Sequence, residues 1–585
     1  MSKAERPGMV GWYDPDQLAR TGVDVAISTI FGRESDFRAL EAFTTPQGSF
    51  FQCCTCKPGE PAWIDYVGDT GDGWNSTYSV AYWLAQPKLT VATSDGAAGE
   101  TTHTGQVLLF GGDQVYPTAN RASYEERLVT PYKSARERSD EPYPEVYAIP
   151  GNHDWYDNLV SFTRLFCSKE WFAGWRTRQK RSYFALKLPY GWWLVGTDIQ
   201  LGSDIDFAQL DYFKEAAKAM QPNDRIILCT AEPHWIYAHL YRKTEPHYYN
   251  EKTLAFLESE KVFGDRIQIF LAGDLHHYRR HEGEDKRQKI TSGGGGAFLH
   301  PTHGPQVEEL HQDLLEQSDD GSPPVTRHST YTRRASYPDA KTSRNLAWQN
   351  LLFPFRNAKF GKLIASLYVL VAWTILNDVS REKTLLHALG QALSNTVRAP
   401  SATFTVVLLL LAFVFFTDTH FLLFRWLGGG FHALLHLSAI FFIGWGSALL
   451  TIWLYPQLAY HHTQHMIATG IVIWFAGWLV GSLIFGVYLL LALNVFRRHT
   501  NEAFSSLKIE DYKNFLRFRL DPDGTMTIFP IGVEKVARKW KTSSAAAGPK
   551  YDPDGDYTKP FLIEEPIIIR PDDLRRPPHN EGDAP

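Results

Sequence analysis

Apolar residues in this 585-residue chain are concentrated in one block between about Phe360 and Val495, and that block limits what the chain can fold into more than any other feature. It contains four stretches: Phe360 to Leu376, Thr403 to about Phe424, Ala433 to Leu454, and Met466 to Val495. A bilayer core of about 30 Å requires roughly 20 apolar residues per helix. The last two stretches meet this length easily, and the fourth carries only Asn494 as a strongly polar side chain. The first two are weaker: Lys362 sits where it can snorkel, and Asp418 and His420 interrupt the second. The block reads as about four membrane spans, the alternative being a large buried helical core. Trp453 and Tyr455 fit an interfacial belt. His432, His436, His461, His462 and His465 read as helix-end residues facing the interface, with metal or headgroup binding as the sharper alternative. Four spans return the chain to the side it left. Arg356, Lys359, Lys362, Arg425, Arg497 and Arg498 on that side, against Arg381, Lys383 and Arg398 opposite, predict cytoplasmic termini.

The flanks divide the rest of the chain. Residues 1–310 form one domain, 311–355 a linker rich in Ser, Asp and Pro, 356–497 the membrane region, and 498–585 a small cytoplasmic module. In that module the runs Asn514–Leu520 and Thr525–Val533 flank Asp-Pro-Asp-Gly, a hairpin signal, and the Pro-rich charged tail reads as disordered. With 59 basic and 64 acidic residues the net charge is −5, which argues against a nucleic-acid partner. Five cysteines, without an apolar leader, fit a reducing compartment. Cys53, Cys54 and Cys56 have no second paired set downstream, so a reduced cluster is expected rather than a zinc site.

The chemistry lies in the first 300 residues. Short runs rich in Val, Ile, Leu and aromatics repeatedly end in polar clusters: AWIDYVGDTGD with Asp69, QVLLFGGDQVY with Asp113 and Tyr116, and EVYAIPGNHDW with Asn152, His153 and Asp154. RIILCTAEPHW follows with Glu232 and His234, then RIQIFLAGDLHH with Asp274, His276 and His277. Each run suits a buried strand, and each cluster would occupy the loop at its carboxyl end, so five loops can share one rim. A lone Gly-Asp is only a turn signal. In series, carboxylates, an amide oxygen, a phenol and imidazoles are a ligand set for divalent or trivalent ions.

These motifs, in this order, resemble the calcineurin-like metallophosphoesterases: GDTGD, GGDQVY, GNHDW, AEPH and GDLH over about Asp69 to His276, with GTDIQ and DFAQLDYF resembling the strand and helix before the fourth motif. The resemblance implies an α/β fold, a four-layer α/β sandwich, around two metal ions. It implies that Asp69, Asp113 and His276 hold the first metal, and that Asp113 bridges to a second, also bound by Asn152. Tyr116, three residues after the bridging Asp, is placed as in the purple acid phosphatase branch, implying Fe3+ in the first site beside Mn2+, Fe2+, Zn2+ or Mg2+. The alternative is a tyrosine packed under its loop beside Pro117.

Two positions depart from the pattern. Asp274 stands where GHxH has its first His, and Ala231 stands where the lone His is expected, with Glu232 and His234 either side of Pro233. Glu232, slightly preferred, or His234 takes one vacated place and Asp274 the other; alternatively the second site is weak and the domain only binds ligand. Asp65 and Asp72 compete with Asp69, and His277, His300 and His303 are further rim candidates. The resemblance implies attack on phosphorus by a metal-bound hydroxide, with His153 as proton donor and Asp154 orienting it and raising its pKa. The expected function is hydrolysis of a phosphomonoester or phosphodiester at a membrane, on a small-molecule or lipid-linked substrate. The competing class is a non-catalytic sensor, scaffold or transporter.

Overall fold

A computed structural model describes residues 6–31, 50–53, 56–93, 99–138, 143–199, 204–241, 252–259, 261–304, 307–316, 325–376, 384–417, 422–545 and 548–571. Asp418, His420, Cys54 and the tail beyond residue 571 lie outside them.

The Val-, Ile- and Leu-rich runs form strands buried on both faces, as parallel strands covered from two sides must be. Ala62–Val67, Val107–Gly111 and Glu145–Ile149 pair in parallel in one sheet. Trp192–Gly196, Arg225–Cys229, Ile267–Ala272 and Gln288–Ser292 pair in parallel in a second. Ile64, Tyr66, Leu109 and Ile149 of the first sheet meet Leu194, Ile227, Ile269 and Leu271 of the second in a dry core. The helix Trp74–Leu84 covers the outer face of one sheet and Phe207–Ala219 that of the other. This is the expected α/β sandwich, with the carboxyl ends of both parallel sets at one edge.

Three stretches differ from their sequence reading. Residues 311–355 are not a plain linker. Val325–Tyr337 pairs antiparallel with both Tyr278–Gly283 and Glu309–Glu316, extending the second sheet, and Ala340–Ala347 is a helix capped by Asp339. Its Ser, Thr and Arg content suits an antiparallel strand with one solvated face, which composition alone does not separate from a linker. Cys53 and Cys56 are joined by a disulfide, where a reduced cluster was expected. The predicted hairpin exists, Lys513–Leu520 pairing with Met526–Val533, but it is no separate module. Lys513–Leu520 lies antiparallel to Ala62–Val67, with Leu516 opposite Tyr66 and Leu520 opposite Ala62, completing the first sheet.

That junction is held by a buried ion pair. Arg517, fully buried, donates to Asp65 through Nε at 2.7 Å and Nη2 at 3.3 Å, and also to the Leu84 carbonyl and the Thr102 hydroxyl. Asp65 is thereby a structural carboxylate, not a competitor to Asp69.

The apolar block packs as a helical bundle. Ala358–Ile375, Leu422–Leu454 and His462–Asn494 are long and apolar enough to cross a membrane, and Leu385–Arg398 with Pro400–Phe416 form a pair bent by 95°. Gly481 lets the last helix approach the first closely: a Cβ there would stand 2.6 Å from the Ile364 side chain. His461 and His462 are exposed at a helix end as expected. His432 and His436 are not. Both are buried within the bundle, His436 bonded to Tyr368 Oη through Nδ1 at 2.7 Å and to His432 through Nε2 at 3.1 Å.

Removing one partner of the Arg517–Asp65 pair strands a charge in the core. Arg517→Ala is expected to destabilise the full chain by about 3–5 kcal/mol in denaturant unfolding, and Asp65→Leu combined with Arg517→Met to recover most of that loss.

Candidate metal centre

Three carboxylates reach the edge of the sandwich by the same local device. Asp69, Asp113 and Asp274 each follow a strand and adopt a left-handed backbone, with φ of 56°, 47° and 64°. Aspartate tolerates this region better than most residues, and the turn aims each carboxylate back across the strand ends. The first two loops are laced together, Asp69 N–H donating to the Gly112 carbonyl at 3.1 Å and Thr70 N–H to that of Asp113 at 3.0 Å. Gly151 is required next to them, since a Cβ would stand 2.1 Å from Asp113 Oδ1.

The centre is organised around the Tyr116 hydroxyl. It lies 3.0 Å from Asp69 Oδ1, 3.1 Å from Asp113 Oδ2 and 2.9 Å from His276 Nε2. All four residues are buried. His276 donates from Nδ1 to the Phe298 carbonyl at 2.8 Å, which leaves Nε2 as an acceptor. One phenolic proton therefore faces three acceptors. Asn152 repeats the shortage: one end of its amide lies 2.9 Å from Asp113 Oδ2 and 3.2 Å from Oδ1. With nitrogen there it donates to the carboxylate; with oxygen there, acceptors face acceptors, which a cation reconciles. This donor set fits a metal ion. Among the described residues, no group of three or more His, Cys, Asp or Glu side chains is drawn together as an assembled metal site, Asp69 Oδ1 and His276 Nε2 standing 3.8 Å apart.

The electrostatics agree. Burial, then the charges of Asp113 and Asp274, hold the Asp69 carboxyl well above the usual range. Burial and then Asp274 push Asp113 up to about 7. Burial, followed by neighbouring His300, keeps His276 well below its ordinary value, so its imidazole is neutral. Burial and the nearby carboxylates raise the Tyr116 phenol well above 10.

The other expected residues separate into groups. His153 is at the centre: its N–H donates to Asp113 Oδ1 at 2.8 Å, and its Nδ1 bonds the Pro117 carbonyl at 2.6 Å, leaving Nε2 as the acceptor nitrogen. Burial depresses its pKa to about 4 instead of raising it. The ring partner is Pro117, not Asp154. Asp154 lies beneath, accepting from Gly151 N–H at 2.9 Å, Gln114 N–H at 3.2 Å and Tyr124 Oη at 2.5 Å, so it pins the second and third loops. Asp274 donates its N–H to Asp69 Oδ2 at 2.8 Å while its carboxylate accepts from Tyr237. Glu232 is at the rim, its charge reaching Tyr156 along with those of Asp113 and Asp274. His234 is turned away, Nε2 lying 2.9 Å from Glu258, so it is not brought to the centre. His300 stacks on His276 with ring centroids 3.8 Å apart. Of the remaining rim candidates, His303 bonds Ser343 and Asn494. Asp72 accepts from Val10 and Phe298 N–H groups.

Sequence reasoning missed two residues. Trp12 lies edge-on to Tyr116, His153 and Phe298. Lys513, fully buried, donates to the Ala297 carbonyl and so steadies the segment whose Phe298 carbonyl orients His276. Neither carries a local motif.

Residues 63–278 match the family model of calcineurin-like phosphoesterases. The match covers the strands and loops that carry Asp69, Asp113, Asn152 and His276, and it stops before the apolar block. That family typically hydrolyses phosphoesters and generally uses two divalent metal ions. No curated protein matches the chain.

Protons and cations compete for these carboxylates. With Asp113 raised to about 7, metal affinity is expected to fall as pH drops through 7, and binding at pH 6 to release more protons than at pH 8; calorimetry in buffers of different ionisation enthalpy measures both. Iron-loaded protein is expected to show a visible phenolate charge-transfer band that Tyr116→Phe removes.

Proposed function

We propose that the chain is a membrane-anchored, metal-dependent phosphoesterase with a two-metal centre. The observation that carries this reading is the crowding of Asp69, Asp113 and His276 acceptors on the single Tyr116 hydroxyl proton. Asp69, Asp113, Tyr116 and His276 would hold the first ion; Asp113, Asn152 and Asp274, with Glu232 at the rim, the second. Ions bound there would polarise the phosphoryl group and lower the pKa of water.

The chain's own residues do the rest. Asp113 is braced by the His153 N–H and Asp69 by the Asp274 N–H, so neither carboxylate has to reorganise when substrate arrives. Because Pro117 holds the Nδ1 proton of His153, Nε2 is the atom that carries a proton to the leaving oxygen. A pKa near 4 without substrate means that the phosphoester's negative charge must raise it before His153 acts as an acid. The oxygen-rich second site fits manganese, magnesium or iron.

Membrane anchoring is supported by the length and apolarity of the three straight helices, and strand pairing sets its topology. Ala62–Val67 and Lys513–Leu520 lie in one sheet, so the block between them must leave and re-enter the same side. An even number of crossings follows. If the three straight helices all cross, the bent pair from Leu385 to Phe416 makes the fourth passage. The Lys and Arg balance favours the cytoplasm for both ends. The Cys53–Cys56 disulfide favours the opposite, oxidising side, and thiol labelling in sealed cells distinguishes the two.

The test uses the full chain in nanodiscs, since the first sheet needs Lys513–Leu520. Metal-loaded protein is expected to hydrolyse an aryl phosphate or its bis ester; failure with manganese, magnesium and iron alike would favour a ligand sensor. His153→Gln is expected to slow alkyl esters by about 100-fold or more while changing activated aryl esters much less. Equal losses on both argue against an acid role.

A further inference from the structure

We infer that the substrate is a membrane lipid carrying its phosphoester at headgroup level, an inference that rests on the phosphoesterase and membrane-anchor readings above. The observation is a junction one residue long. Trp12 and Tyr13 have Cα atoms about 3.8 Å apart. The Trp12 ring lies 6.2 Å from that of Tyr116 and 5.9 Å from that of His153, in the candidate centre. The Tyr13 ring lies 5.1 Å from Phe353, 5.3 Å from Phe360 and 6.4 Å from Phe485, at the base of the bundle, and its hydroxyl donates to the Glu502 carbonyl at 3.2 Å. Asp14 pairs with Lys359 at 2.8 Å. Phe298, whose carbonyl orients His276, belongs with Leu299 to the same apolar cluster as Phe353, Ile364, Tyr488 and Leu489. The centre is therefore separated from the first turn of a candidate span by one layer of side chains.

The headgroup level can be read from the segment just before that span. Trp348–Leu352 and Phe353–Arg356 expose Trp348, Leu351, Leu352 and Phe355, the last by 65%. The Phe355 ring meets Trp478 of the last helix at 6.0 Å. Arg356, Lys359 and Lys362 follow. Exposed aromatic and apolar side chains beside a basic cluster match the layer where acyl chains meet anionic headgroups. Phe353, which touches Tyr13, lies in that segment, so the layer is at the height of Tyr13.

The route into the centre agrees. Asp69, Asp113, Tyr116 and His276 are buried, whereas Asn152, His153, Tyr156, Glu232, Asp274 and His300 are partly exposed and mark the opening. The Trp12 indole N–H is buried without a hydrogen-bond partner among the described residues, an unmet donor that a phosphate or ester oxygen entering the centre would satisfy. A lipid reaches this opening with its acyl chains still in the bilayer. In the reaction the oxygen of water bonds to phosphorus, the ester P–O bond breaks, and the leaving lipid oxygen takes up a proton. For phosphatidic acid the products are diacylglycerol, which stays in the membrane, and inorganic phosphate.

The experiment compares dioleoyl phosphatidic acid and phosphatidylglycerol in vesicles with soluble glycerol 3-phosphate at equal bulk concentration, using the reconstituted full chain. An aryl phosphate serves as the control. At least one lipid should turn over about tenfold or more faster than glycerol 3-phosphate, at a rate that follows its surface mole fraction. In metal-free protein, phosphatidic acid should slow hydrogen exchange at residues 7–14 and 152–157, and glycerol 3-phosphate should not. Aryl phosphate turnover with neither lipid ahead of glycerol 3-phosphate overturns the lipid inference and leaves the phosphoesterase reading standing. If nothing turns over, the phosphoesterase reading fails, and the exchange measurement alone decides whether lipid enters the site.

Discussion

The pairing of Lys513–Leu520 with Ala62–Val67 is the constraint on which the rest of this molecule depends. It closes a sheet whose strands lie on either side of the apolar bundle in sequence, so the bundle is inserted between strands of one sheet and is not an appendage after it. Arg517 against Asp65 makes the pairing specific: each charge is buried with its partner, and a shift in register would leave both without one. The same strand brings Lys513 beneath the loop that orients His276. The candidate centre is thus assembled from both sides of the apolar block.

Within the centre, the governing quantity is the supply of protons. Buried carboxylates, a neutral imidazole and a phenol crowd together, and burial pushes every acidic group toward its neutral form. Such a cluster is costly unless positive charge arrives. The backbone N–H groups of His153 and Asp274 offset part of that cost, and the geometry leaves the remainder for cations.

The strand-and-loop series was legible in the sequence because each element is local: a buried run, a glycine, then an aspartate able to take a left-handed turn. Asp69, Asp113 and His276 lie within hydrogen-bond distance of the Tyr116 hydroxyl, with Asn152 and His153 against Asp113. Side-chain direction was not legible. His234 sits beside Pro233 as a ligand might, yet Glu258 draws it away, and Asp154 adjoins His153 but bonds Gln114, Gly151 and Tyr124. Contacts distant in sequence were equally hidden. Arg517 alternates with apolar neighbours as a solvated residue would, and only its pairing with a strand over 400 residues earlier buries it. Trp12 lies in a segment with no periodic pattern. The polar strand Val325–Tyr337 reads as a linker because its exposed face resembles one. The bundle histidines divide according to packing that hydropathy does not encode.

The insertion also sets an order of synthesis. Ala62–Val67 leaves the ribosome hundreds of residues before the strand that must lie beside it, and every apolar helix must be placed in between. Until then one edge of the first sheet is open, with backbone groups available to any passing strand. Growth of the chain must therefore protect that edge while the apolar helices are made, and a message truncated after the last helix would yield a protein whose first sheet can never close.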